Sequence, residues 1–174
     1  MRKLTTATAV AFGILAMGAG AVSAEKLTIG LASEPTSLDP HFHNLGPNNA
    51  MSVHIFDRLI AQDEKQRLSP GLAVSWQPID ELTWEFKLRE GVTYHDGAAF
   101  DSEDVVFSLN RAMTEDSDYK ELLASVVEVR AAGSHTVEIV TDGPNPIMPN
   151  NLTNMFMMDK GWAEANNAVK VQDY

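Results

Sequence analysis

Apolar positions recur along this chain at two spacings, and each spacing predicts its own kind of element. Lys26-Leu27-Thr28-Ile29-Gly30-Leu31-Ala32 alternates apolar and polar residues, which predicts a half-buried strand. It runs into Glu34-Pro35-Thr36-Ser37-Leu38-Asp39-Pro40, where two prolines exclude helix. His41 to Pro47 is loop by composition. From Asn48 to Ile60, Ala50, Val53, Phe56 and Ile60 share one face and predict a helix. A polar turn (62–66) and a stretch punctuated by Pro70-Gly71 follow. Thr83–Leu88 alternates again, with Trp84 and Phe86 together on a face that reads as core. Val92–Tyr94 resumes a short strand, and Asp96-Gly97 is a turn pair. Asp101 stands where an N-cap belongs, with Glu103 and Asp104 suited to a helix N-terminus. Val105, Val106, Leu109, Ala112 and Met113 then form a helical stripe. A short helix over 119–124 and strands over 126–131 and 136–141 complete the regular pattern. Pro144, Pro146 and Pro149 then interrupt regular structure, and 151–158 and 161–168 carry less regular patterns. Trp76 and Trp162 fit either the core or a ligand groove.

The N-terminus changes the picture. Arg2 and Lys3 precede an uncharged run rich in Ala and Gly, and Val22-Ser23-Ala24 supplies small residues before Glu25. This is the layout of an export signal over 1–24, with cleavage after Ala24. Alanine and glycine make a poor membrane span, so no membrane insertion of the mature chain is expected. Cleavage would leave 11 basic against 24 acidic residues, a net charge of −13. Such a surface repels nucleic acid and anionic lipid and serves solubility. The absence of cysteine excludes disulfides, a Cys nucleophile and Cys-ligated zinc. Residues 25–174 are long enough for one ordinary hydrophobic core.

Candidate chemistry is sparse. His41 and His43, helped by Asp39, could place two imidazoles on a metal, but three or four converging ligands are usual. No G-x-S-x-G, H-E-x-x-H or phosphate-binding loop follows the leader, and the carboxylates sit on turns and at a helix start. Neither catalytic residues, a protein-held metal nor a cofactor is expected.

Several blocks in order resemble the family 5 (peptide-, dipeptide- and nickel-type) extracellular solute-binding proteins of ABC importers. They are Ser37-Leu38-Asp39-Pro40, Ile55–Leu59 and Leu68–Trp76, then Thr83–Gly97 and Phe100–Arg111 in tandem. The resemblance implies a periplasmic binding protein-like α/β fold of type II, two-lobed, of which only the N-terminal part is present. Residues 25–45 would be the first strand and loop of lobe I, 46–150 an accessory subdomain, and 151–174 the start of a return into lobe I. It further implies a periplasmic location, a peptide or similar small solute, and a permease and ATPase complex as partner. Because the family places the loop Ser33–Asn44 near the cleft, Phe42 as a stacking surface and Asn44 as an amide are the candidate solute contacts. Two alternatives stand beside this reading. One is a truncated or vestigial exported fragment without binding activity, suggested by the bare ending Val169–Tyr174. The other is an exported metal-binding protein using His41 and His43.

Overall fold

The computed structural model describes residues 26–172. The expected leader and its cleavage point at Ala24 lie outside them. The chain divides into two units, residues 1–30 and 31–174. Of the first, Lys26–Gly30 carries no regular structure, and Leu27 and Ile29 are exposed. The strand predicted over 26–32 is therefore not formed. Its alternation suits a sheet face, but a strand needs a neighbour for its N–H and C=O groups, and none of the described residues pairs with it.

The second unit is built on a four-stranded antiparallel sheet. Its strands are β3 (Ala73–Pro78), β4 (Thr83–Leu88), β5 (Val126–Gly133) and β6 (Thr136–Thr141), in the order β3-β4-β6-β5. A smaller ribbon of β1 (Ile60–Gln62) and β2 (Leu68–Pro70) precedes it. Phe86 lies opposite Trp76 on β3 and Val137 on β6. The predicted strands over 83–88 and 136–141 form with those bounds, and β5 extends two residues past its expected end. Strand β3 has no counterpart in the hydrophobic pattern, because Val74, Ser75 and Gln77 are all exposed on this edge strand.

Helix α2 (Ser102–Ala112) packs across β5 and β6. Its start follows from its sequence: Asp101 accepts the Glu103 N–H at 2.8 Å, and Asp104 accepts the Asp101 N–H at 3.0 Å. This reciprocal cap satisfies donors that the first helical turn leaves open. Val105, Leu109 and Ala112 meet Phe86, Leu88, Val137 and Ile139 in the main core. A second buried stripe on the same helix is polar: Asp104, Ser108 and Arg111. It faces the loop 36–44 and the C-terminal segment.

Helix α1 (Gly46–Ser52) is much shorter than the helix predicted to reach Ile60. Turns follow it, and Ile60 enters β1, paired with Pro70. Three β-branched or aromatic residues in four (Val53, Ile55, Phe56) weaken helix here, and ribbon pairing takes over. The ribbon closes tightly at Gly71. Leu72 N–H bonds to the Arg58 carbonyl and Ala73 N–H to the Leu59 carbonyl, both at 2.9 Å. A Cβ on Gly71 would collide with the Arg58 carbonyl oxygen and lie 2.9 Å from that of Leu59. Because both obstacles are backbone, Gly71→Ala should cost about 1–3 kcal/mol, read as a lowered urea midpoint with an unchanged slope. At Asp96-Gly97 the expected turn forms, with Gly97 at φ +92° and its N–H on the Tyr94 carbonyl.

The rest of the chain wraps this body. A 3₁₀ turn (Lys120–Leu123) stands where a short helix was expected. Short α3 (Met148–Asn151), a 3₁₀ turn (Leu152–Asn154) and α4 (Lys160–Ala165) follow β6. Met158 N–H donates to Ser108 Oγ at 2.9 Å, and Lys160 N–H to Asp104 Oδ1 at 2.9 Å, so α2 holds this return segment. Among the described residues no helix is long and apolar enough to cross a membrane.

Candidate solute-facing loop and adjoining groove

The loop 36–44 is fixed by charge in the interior. Asp39 and Arg111, 72 residues apart, form an ion pair whose side chains are 0% and 1% exposed. Nη1 of Arg111 donates to Asp39 Oδ1 at 2.7 Å, and Nη2 donates to Oδ2. The same guanidinium donates to the carbonyls of Ala168 (3.0 Å) and Lys170 (2.8 Å). Asp39 also accepts the N–H groups of His41 (2.9 Å) and Gln172 (3.1 Å). Burial alone would push its carboxyl up, but Arg111 and the two N–H groups outweigh it and hold Asp39 below its ordinary value. A buried pair persists only when its remaining valences are met, and here they are met by backbone from the loop itself and from the stretch 168–172.

His41 belongs to the same cluster. Its Nε2 lies 2.8 Å from the Phe156 carbonyl and its Nδ1 3.1 Å from Arg111 Nη1. A carbonyl only accepts, so Nε2 carries the proton and Nδ1 accepts from Arg111. Burial, and then the charge of Arg111, lower this imidazole to about 4. Tyr119 meets the ring edge-on, with centroids 6.1 Å apart.

The residues expected to touch solute lie on the outer part of the loop. Phe42 is half-buried and stacks on His43, with ring centroids 4.1 Å apart. The Asn44 side-chain oxygen accepts from Asn49 Nδ2 at 2.9 Å, and Asn49 in turn accepts from the Tyr119 hydroxyl at 2.6 Å. His43 bonds to Thr36 Oγ1 at 2.6 Å. His41 and His43 therefore have separate partners, one buried against Arg111 and one at the surface, and the loop does not converge them on a shared metal position. Among the described residues no group of three His, Cys, Asp or Glu side chains could hold an ion.

A groove of about 550 Å³ opens on the other flank of the loop. Leu38 and Pro40, Ile55 and Phe56, and Met157, Met158 and Trp162 wall it, with Asp57, Asp96 and Asp159 among its polar residues. Phe42 and Asn44 are not part of this wall. The two undecided tryptophans part here: Trp76 packs against the main core, and Trp162, half-exposed, lines the groove. The sequence reading missed both the groove and the role of Arg111. One signal was present for the latter: Asp104, Ser108 and Arg111 repeat at helical spacing beside an apolar stripe, marking a second buried face.

Comparison with known proteins matches this architecture to one class. The family described as bacterial extracellular solute-binding proteins, family 5 Middle, matches residues 67–172. The periplasmic oligopeptide-binding protein OppA of Escherichia coli is 30% identical, over 84% of this chain and 33% of its own length. The periplasmic murein peptide-binding protein MppA of the same organism is 32% identical, over 71% of this chain and 23% of its own. The solved structure of Escherichia coli MppA superposes with a TM-score of 0.71 at 26% identity, covering 78% of this chain and 31% of that one. The chain belongs to the family 5 bacterial extracellular solute-binding proteins. It has the α/β fold of part of a periplasmic binding protein and spans about a fifth to a third of the curated relatives it matches.

Proposed function

We propose that this chain is part of the solute-binding component of an ABC importer, one that captures a peptide-like or similar small solute in the periplasm for delivery to a permease and ATPase pair. The family match over residues 67–172 carries this reading. Relatives named for oligopeptides, murein peptides and glutathione support a peptide-like solute. The export signal over 1–24 belongs to the same proposal, as does the division at about residues 46 and 150. Solute contact is assigned to the outer loop, at Phe42 and Asn44. Their support is the anchoring of that loop: a rigid base lets a stacking face and an amide be presented at low entropic cost. Capture would use closure of two lobes, with no bond made or broken.

The test is calorimetry of the full-length exported protein against a panel of di- to pentapeptides and glutathione. Binding of one of these is expected, with Phe42→Ala weakening it about tenfold, or ~1.4 kcal/mol. If no small solute binds, the reading is wrong. If one binds and Phe42→Ala and Asn44→Ala leave its affinity unchanged, the assignment of the loop is wrong.

A further inference from the structure

We propose that Asp39, His41 and Arg111 form an acid-sensitive latch, in which a proton arriving at His41 Nδ1 frees the loop 36–44 from α2. The proposal concerns a positioning device. It rests on the reading above only in taking this loop as solute-facing.

The geometry makes His41 the weak point. Its Nε2 already donates to the Phe156 carbonyl, so a second proton can go only to Nδ1. That atom accepts from Arg111 Nη1 at 3.1 Å. Protonation would set two donors and two positive charges against each other in the interior. Arg111 cannot yield by losing its proton. Either movement breaks the Asp39 pair, but Arg111 swinging away would also strip the carbonyls of Ala168 and Lys170 of their donor. The loop is the part that can move, pivoting on its bonds to Asn48 at one end, where Asn48 accepts the Thr36 N–H at 3.3 Å and donates to the Ser37 carbonyl at 3.1 Å. Besides Asp39 and His41 it must give up the bonds from Ser117 Oγ to the His41 carbonyl (2.8 Å), from the Asp118 N–H to the Phe42 carbonyl (3.1 Å) and from the Asn44 N–H to Asp118 (3.3 Å).

Each element packed against His41 presents its own group. The loop itself contributes Asp39, which favours the protonated ring, and α2 contributes Arg111, which opposes it. Tyr119, just before the 3₁₀ turn, meets the ring edge-on; burial pushes its hydroxyl up to about 12, so it stays neutral throughout. Phe156 contributes a backbone carbonyl. Burial dominates, and the ring is held near 4 against an ordinary value of 6.5. The sign is set by proton uptake: between pH 6.5 and 4 the released state binds the proton that the latched state refuses. Latching is therefore complete above pH 6.5 and is lost as pH falls toward 4. Asp39, held below its ordinary value, remains charged across that window.

The deciding experiment is amide hydrogen exchange of the full-length protein between pH 7.5 and 4.5, corrected for intrinsic exchange rates. The wild-type loop amides of Asp39 and of residues 41–44 should lose at least tenfold in protection, while β4 and β6 stay protected. His41→Gln keeps a donor for the Phe156 carbonyl but does not titrate, and its loop protection should be flat with pH. An equal loss in His41→Gln, or full protection of the wild-type loop at pH 4.5, overturns the latch. Should His41→Gln not fold, imidazole NMR on the wild type decides. His41 must titrate from an Nε2–H tautomer, with the Phe42 amide, bonded to the Asp39 carbonyl, shifting at the same midpoint, and a silent Phe42 amide overturns the proposal. No solute is needed for these readouts, so they stand whether or not the importer reading does.

Discussion

Arg111→Met should destabilise the protein by about 3–5 kcal/mol, because it leaves the Asp39 carboxylate buried without its counter-charge. Methionine fills much of the volume, so the loss reports charge and hydrogen bonds more than a cavity. Two backbone carbonyls, of Ala168 and Lys170, lose their donor at the same time. Arg111→Lys should recover little, since one ammonium cannot serve Asp39 and both carbonyls in the planar arrangement a guanidinium offers. Adding Asp39→Asn to Arg111→Met should restore roughly 1–2 kcal/mol, a coupling that a double-mutant cycle in urea would read directly. A single-variant loss below about 1 kcal/mol would mean that water reaches the pair.

Phe86→Ala should cost a comparable 3–5 kcal/mol for a different reason. Phe86 is fully buried at the middle of the sheet, between Trp76 on β3 and Val137 on β6, and its ring packs into the cluster that α2 covers. Strands on both sides hold the backbone, so the site collapses poorly and a void remains. The neighbouring Lys87, exposed on the same strand, gives the contrast: Lys87→Ala should stay within about 0.5 kcal/mol. Urea midpoints of the two variants would separate core packing from strand propensity.

What could be read from the sequence divides by range. β4, α2 and β6 were legible because a period, a cap or a turn pair within a dozen residues specifies each. Asp101 is the plainest case, predicted as a cap and found as one. Helix α1 was overextended because Val53, Phe56 and Ile60 do share a helical face; the helix stops at Ser52, ahead of the β-branched and aromatic run, and Ile60 is taken into the pairing with Pro70. β3 was missed since an edge strand with exposed Val74 and Gln77 leaves no alternation to detect. The site was legible only as a loop. That Asp39 meets Arg111 is a tertiary fact, and an arginine near a helix end ordinarily reads as solvated. His41 looked like half of a metal pair because sequence distance from His43 is short, whereas the fold sends one ring inward and the other out. Family resemblance, by contrast, was legible from the tandem blocks alone.

Among the described residues the order of the sheet leaves β3 and β5 as its edges, and both are poor templates for a neighbouring chain. β3 ends in Pro78, which has no N–H to give, and its pairing is irregular between Ala73 and Ser75. β5 carries the exposed charges Glu128 and Arg130 and two register irregularities. Bulges and charge at an edge discourage strand addition. A sheet so edged is guarded against growing, strand by strand, into a fibre.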